Sequence, residues 1–193
     1  MRTFLAFLAI GSLFATVEEF LTVLVIRHDL ASYLFTLFIL FPVFLTFVWS
    51  SSRLLNLLIR GQAAQELAHF FTYGLVGLLI EWFLMGLAPW SNPNAHPAIM
   101  CIFQLGMFSF WATVAFAPRL FTNAQELSRK TGRAILKFYV PYFVLVYLIS
   151  FLVPEQMRFV TVVSLVVFGY LTLNLFYLQY FRRLFSQSTT IHA

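Results

Sequence analysis

The apolar residues of this chain fall into six long runs that short polar patches separate. The runs lie at residues 5–26, 30–50, 70–90, 97–117, 137–153 and 159–181. A helix needs about 20 apolar residues to cross the roughly 30 Å of hydrocarbon in a bilayer. The pattern therefore predicts an all-α integral membrane protein, with a six-transmembrane-helix bundle that forms a single transmembrane domain over residues 1–193.

Two of the six runs are less regular than the others. The fifth, 137–153, is short unless residues 134–136 extend it, so we expect it to tilt or to be shielded by its neighbours. The first follows Arg2 in the manner of a signal peptide, but it continues through Glu18 and Glu19 without a convincing small-residue cleavage site. We therefore expect the first run to be retained as a helix.

Composition makes lipid the expected solvent. Of the 193 residues, 61% are hydrophobic and 10% are charged, against roughly 45 to 50% and 25% in a soluble domain. The single cysteine, Cys101, lies inside an apolar run and can form no intrachain disulfide. The net charge is +5, and the basic residues flank the apolar runs. In these positions basic residues set the orientation of the protein and contact anionic lipid headgroups. The expected partner is thus the lipid bilayer and not nucleic acid.

The basic residues are distributed unevenly between the two sides of the predicted bundle. One side carries ten of the twelve. These ten are Arg2, Arg53, Arg60, Arg119, Arg129, Lys130, Arg133, Lys137, Arg182 and Arg183. The other side carries only Arg27 and Arg158. By the positive-inside rule we expect the N and C termini to be cytoplasmic, in a multi-pass protein of a cell membrane, namely a bacterial inner membrane.

The connection between the second and third runs mixes leucines with polar residues. It extends from Leu54 to His69 and includes Arg60, Gln65 and Glu66. Such a mixture is typical of a helix that lies in the membrane interface. The alternative is that this segment extends the two neighbouring spans on the cytoplasmic side.

The first and third runs resemble each other at an offset of 63 residues. Gly11 aligns with Gly74, and Glu18 aligns with Glu81. Further matches pair Val17 with Ile80, Phe20 with Phe83, Leu21 with Leu84, and residues 53–55 with 119–121. The pattern predicts three helical hairpins of about 64 residues, repeated with the same topology, of which the third is the most diverged.

Glu18 and Glu81 are the strongest candidates for ligand or proton binding. A carboxyl group within the membrane is costly and usually faces a bundle interior or a water-filled cavity. Gly11 and Gly74 each precede their glutamate by seven residues, and Gly77 lies on the same helix face. The functional interpretation is a pair that binds a proton, a cation or an anchored ligand. The structural alternative is a protonated glutamate that bonds to a neighbouring helix.

Three other polar positions within the runs bear on such a site. Gln104 and Asn174 are further candidates for ligand or proton binding, although bonds between helices are the more frequent role of such residues. Glu19 points about 100° away from Glu18 around a helix, and the repeat places Trp82 at its position. We therefore expect Glu18 and Glu19 to face different surroundings.

No pattern of cofactor or metal ligands is evident. No two of the four histidines are three or four residues apart, which argues against haem and diiron sites. His28, Asp29, His96 and Glu155 could meet on the outer face as a metal or pH-sensing site, but turn residues commonly have this composition. We expect no catalytic residues, no cofactor and no metal.

Three functions are compatible with these features. The leading hypothesis is a small transporter, channel-like or ligand-binding protein that is not an enzyme, with a small-molecule or proton ligand at the glutamates. The second is a membrane-embedded enzyme that modifies a lipid or an isoprenoid, with a glutamate as general acid or base. The third is an accessory subunit of a larger complex, which would bind a membrane-protein partner or a second copy of itself.

Overall fold

Six helices of the computed structural model are long and apolar enough to cross a membrane. The model describes residues 2–91, 94 and 96–190, and within these it contains helices and no strands. The six candidate spans are Thr3–Ile26, Leu30–Leu58, Gln62–Phe83, Pro97–Thr122, Glu126–Leu152 and Glu155–Gln187. The predicted all-helical architecture with six spans is therefore confirmed by length and composition.

The first two spans each combine α-helical and π-helical segments, whereas the other four are single α-helices. The first consists of α1 (Arg2–Glu19) and a π-helix (Phe20–Ile26). The second consists of α2 (Leu30–Phe35), a π-helix (Thr36–Leu40) and α3 (Phe41–Leu58). The remaining helices are α4 (Gln62–Phe83), α5 (Pro97–Thr122), α6 (Glu126–Leu152) and α7 (Glu155–Thr190), with a 3-10 turn at Pro89–Ser91.

The break within the second span coincides with a proline. Pro42 lies in the first turn of α3, directly after the π-helix. A proline has no N–H to donate to the preceding turn, and a shift in hydrogen-bond register at this point accommodates it. At the start of the same span, the Asp29 carboxylate accepts bonds from the Ser32 N–H at 2.9 Å and the Ser32 hydroxyl at 2.6 Å. These two bonds cap α2 and hold the pKa of Asp29 below its usual value.

The third span is displaced from its predicted position. The prediction of 70–90 differs from α4, which begins at Gln62 and ends at Phe83. The helix ends early because Gly86 adopts a φ of +70°, which is left-handed backbone. α3 continues to Leu58, so the segment after Leu54 extends the neighbouring spans and contains no separate interfacial helix.

The fifth span is not short. α6 contains 27 residues and begins at Glu126, eleven residues before the apolar run. Its first turns carry Arg129, Lys130 and Arg133. These residues are helical, but they are too polar to belong to the apolar run from which the span was predicted. The helix therefore includes residues 134–136, the extension on which the expected length of this span depended.

α5 is the central helix of the bundle. It packs against α1, α3, α4, α6 and α7, and residues 110–118 are all buried. Small side chains on this helix, such as Ala112 and Ala115, allow the surrounding helices to approach closely. Many large apolar side chains of the surrounding helices are nevertheless exposed on the outside of the bundle, as the 69% exposure of Phe38 and the 71% exposure of Phe83 illustrate. A surface of this kind is suited to lipid rather than to water.

Glycines allow large side chains to pack directly against helix backbones. A Cβ atom at Gly11 would fall 2.5 Å from the Leu45 side chain, and one at Gly74 would fall 2.5 Å from the Phe108 ring. A Cβ atom at Gly77 would overlap the Trp111 indole. The glycine face predicted on α4 thus receives bulky side chains of α5, and one of these, Trp111, reaches the candidate site.

Candidate functional site

Three carboxyl groups and one guanidinium group line a cavity of about 100 Å³ at one end of the bundle. Glu18 and Glu19 come from the end of α1, Glu81 from α4, and Arg27 from the residue after the first π-helix. Most of the remaining wall is apolar and is formed by α5 and α7. We call the space that these four residues line the carboxylate cavity. The end of the bundle that holds this cavity is called the Arg27 end.

Glu81 is held in the cavity by the central helix. Its Oε1 accepts a hydrogen bond of 2.9 Å from the Trp111 indole N–H. The indole can reach Glu81 because it lies against Gly77, one helical turn earlier on α4. A side chain at position 77 would displace the indole and break this contact, so the glycine and the glutamate act together.

The other two carboxyl groups differ from each other in their hydrogen bonds. Oε1 of Glu18 accepts a bond of 3.1 Å from the Thr22 hydroxyl, one turn later on the same helix. Glu19 is only 7% exposed, and its Oε2 has no hydrogen-bond partner among the described residues. A buried carboxyl oxygen without a partner is costly, and a bound proton or ligand would satisfy it. Both glutamates line the cavity, but their hydrogen bonds differ, since Thr22 donates to Glu18 and not to Oε2 of Glu19.

The cavity carries an excess of acidic groups. The described residues form two ion pairs, Arg119 with Glu66 and Lys130 with Glu126, and neither involves the carboxylate cavity. If all its groups are ionised, three negative charges face one positive charge, which leaves a net charge of −2. Like charges in one site repel each other, so protons or cations that enter are favoured. Its volume is enough for about three water molecules, which suits a proton or a small cation.

Gln104 lies outside the residues that line the carboxylate cavity. Its Oε1 accepts a bond of 2.6 Å from the Trp82 indole N–H, and its Nε2 donates to the Leu87 carbonyl at 3.0 Å. These bonds tie the end of α4 and the loop after it to α5. Trp82, which replaces Glu19 in the repeat alignment, is engaged in this contact and does not carry an acid.

Asn174 also lies outside the cavity lining. Its Nδ2 donates to the Ser109 hydroxyl oxygen at 2.7 Å and so joins α7 to α5. Its Oδ1 is buried without a hydrogen-bond partner in the described part of the chain. The structure therefore brings the two predicted glutamates together, while the predicted amides lie elsewhere in the bundle.

A second polar cluster, at the opposite end of the bundle, was not identified from the sequence. The Arg119 Nε donates to Glu66 Oε2 at 2.7 Å, and Arg119 Nη1 lies 3.1 Å from His69 Nε2. Glu66 and His69 are each 2% exposed. Because a guanidinium group can only donate, His69 Nε2 accepts this bond and the imidazole is neutral. We call these three residues the Arg119 cluster, and this end of the bundle the Arg119 end.

The Arg119 cluster and the carboxylate cavity share one face of α4. Glu66, His69, Tyr73, Gly77 and Glu81 follow each other at intervals of three or four residues, so they form one stripe along the helix. Fifteen residues separate the first and the last, which corresponds to about 22 Å along the axis. This periodicity is the signal that could have identified the cluster, but the assignment of residues 54–69 to a possible interfacial helix concealed it.

A larger groove lies between the first and fifth spans. Its volume is about 310 Å³, and its wall is almost entirely apolar. It includes Leu13, Phe20, Val140 and Tyr147, whereas none of the three cavity glutamates lines it. The groove and the carboxylate cavity are therefore separate features.

We predict that the buried ion pair contributes strongly to stability. Arg119→Ala should lower the free energy of unfolding by about 3–5 kcal/mol, because it leaves the Glu66 carboxylate buried without its counter-charge. Lys130→Ala provides the matched control, since it breaks an ion pair whose side chains are 67% and 77% exposed. SDS unfolding in mixed micelles measures both variants. Equal destabilisation by the two substitutions would contradict this assignment.

The site offers acid–base and cation-binding groups and no arrangement of metal ligands. Among the described residues, no group of three or more His, Cys, Asp or Glu side chains is placed to hold a metal ion. No protein-family model matches the chain, and no curated protein or solved structure is significantly similar to it.

Proposed function

We propose that this protein is a small membrane transporter or channel-like protein that binds a proton or a small cation in the carboxylate cavity. The observation that supports this most directly is the convergence of Glu18, Glu19 and Glu81 on one cavity with a single guanidinium group. Three acids in a membrane protein are costly unless a cation compensates them. A cation bound between the three carboxyl groups would compensate their negative charge.

The dimensions of the two cavities favour this function over lipid chemistry. An enzyme that acts on an isoprenoid needs an acid next to a long apolar chain. The carboxylate cavity, at about 100 Å³, is too small for such a chain. The apolar groove has more room, but no glutamate lines it. An accessory subunit would gain nothing from three acids in one cavity, so this alternative leaves the most unusual feature of the chain unexplained.

We further propose that both chain termini face the cytoplasm, in a bacterial inner membrane. Ten of the twelve basic residues then lie on the cytoplasmic side, as the positive-inside rule requires. The Arg119 end becomes cytoplasmic and the Arg27 end becomes the outer one. In this orientation the carboxylate cavity receives its cation from outside the cell.

We also propose that the chain is built from repeated helical hairpins. Gly11 packs against Leu45, and Gly74 packs against Phe108, so the same kind of contact recurs with both members shifted by 63 residues. The side chains of Gln62 and Gln125, which are 63 residues apart, exchange hydrogen bonds of 2.6 and 2.8 Å. Together with the paired glutamates, these contacts support a duplicated hairpin whose interior site is built from equivalent positions.

We predict that Glu81→Gln weakens cation binding while the fold is retained. Glutamine still accepts the Trp111 bond but carries no charge, so the affinity should fall at least about tenfold, because one charged contact is worth about 1.5–3 kcal/mol. Replacement of the other three tryptophans by phenylalanine leaves Trp111 as the only indole. Its fluorescence then reports titration with acid and with methylammonium chloride.

The matched control for this prediction is Glu126→Gln, which neutralises an exposed acid at the start of α6. This variant should respond to acid and methylammonium as the parent protein does. An unchanged fluorescence titration of the Glu81→Gln variant would contradict the proposed site.

We predict that Arg133 and Arg158 lie on opposite sides of the membrane. The Cys101→Ser background removes the single native cysteine, and a cysteine is then introduced at each arginine in turn. In intact cells an impermeant maleimide should label position 158 and not position 133. Equal labelling of both positions would contradict the proposed orientation.

A further inference from the structure

A row of buried polar side chains runs along one face of α7. Tyr170, Tyr177 and Tyr180 are each 1% exposed, and the half-buried Asn174 lies between the first two. Their spacings of four, three and three residues place them on one helix face. Ten residues from first to last correspond to about 15 Å along the axis, which is about half of the hydrocarbon thickness.

The first tyrosine of this row belongs to the carboxylate cavity. Tyr170 lines the cavity together with Glu18. Its hydroxyl lies 3.1 Å from the hydroxyl of Tyr139, which donates to the Phe14 carbonyl at 2.7 Å. The row therefore begins at a carboxyl group that can release a proton and at a hydroxyl that can accept one.

The middle of the row contains buried polar atoms that lack partners. The Tyr177 hydroxyl faces the Thr113 hydroxyl across the interface between α5 and α7. Neither meets hydrogen-bond geometry with any described residue, and neither does Oδ1 of Asn174. Buried polar atoms are normally satisfied, by ordered water where protein groups do not serve. Three such atoms within two turns of one interface thus indicate a site for bound water.

The last tyrosine of the row meets the Arg119 cluster. The Tyr180 hydroxyl lies 3.2 Å from the Ser128 hydroxyl, and both residues are buried. Glu66 and Arg119 are close enough to Tyr180 to act on it electrostatically. Tyr180 therefore lies at the end of the bundle that holds Glu66, the far end of the α4 stripe that carries Glu81.

We propose that the cation handled by the carboxylate cavity is the proton, and that it crosses the bundle along this α7 row to the Arg119 cluster. This inference rests on the proposed function and names its substrate. At each step a hydroxyl group or a bound water accepts one proton on its lone pair and releases its own proton to the next oxygen. One proton leaves Glu18 and one reaches Glu66, so no atom or electron is gained or lost.

The surroundings of the row explain why a proton would pass and a larger cation would not. Aromatic rings pack around Tyr177, with Phe70 at 5.1 Å and Phe116 at 5.6 Å between ring centroids. Phe110 packs against Tyr170 at 5.3 Å. A hydrated metal ion has no space between these rings, whereas a proton needs only a sequence of oxygen atoms.

The test is proton flux in liposomes that contain the purified protein. A potassium gradient with valinomycin sets the membrane potential, and a trapped pH-sensitive dye records proton entry. The proton flux into liposomes with the native chain should exceed the flux into protein-free liposomes. Tyr177→Phe should lower the flux about tenfold, because it removes one oxygen from the row. That oxygen has no direct partner, so the fold should be retained.

The matched control is Tyr142→Phe, which removes a hydroxyl that donates to the Leu165 carbonyl at 2.7 Å and lies outside the row. This variant should conduct protons at the native rate. The native rate in the Tyr177→Phe variant, or a native chain no faster than empty liposomes, would overturn the inference. The Trp111 titration separates the two proposals, because it should be unchanged in Tyr177→Phe and lost in Glu81→Gln.

Discussion

The arrangement of this protein depends on the cost of placing carboxyl groups within a hydrocarbon layer. Glu18, Glu19 and Glu81 lie on apolar spans, and each would lose its hydration if it faced lipid. They avoid this by meeting in one cavity inside the bundle, where Trp111 and Thr22 donate to two of them. The same requirement explains Gly77, one helical turn before Glu81, because only a residue without a side chain leaves room for the Trp111 indole.

The bundle resolves this constraint at both of its ends. At the Arg27 end acids outnumber bases, whereas at the Arg119 end one acid and one base form a direct ion pair with a neutral imidazole beside them. Aromatic packing around α5 fills the space between the ends. The acid excess at the Arg27 end therefore contrasts with the balanced charge at the Arg119 end.

The six spans followed from hydropathy, and the cost of a buried charge singled out Glu18 and Glu81, but sequence alone did not show that the two glutamates line one cavity. The helix ends did not follow from hydropathy, since α6 begins before the apolar run and its first turns carry Arg129 and Arg133, where hydropathy gives no helix signal. The Arg119 cluster was missed because its acid and its arginine lie 53 residues apart and meet only in the fold. The half-buried side chains of Gln104 and Asn174 bond to neighbouring helices, but sequence alone cannot tell which helix face meets which neighbour.

Glu18 and Glu81 share one cavity, and a double-mutant cycle tests this arrangement most directly. Glu18→Gln, Glu81→Gln and the double variant are unfolded with SDS in mixed micelles, and their free energies of unfolding are compared. When two acids share a cavity, neutralising either one removes the same repulsion. The changes in the free energy of unfolding caused by the two single substitutions should therefore deviate from additivity by about 0.5–3 kcal/mol. Additivity within about 0.3 kcal/mol would show two independent glutamates and would contradict the account.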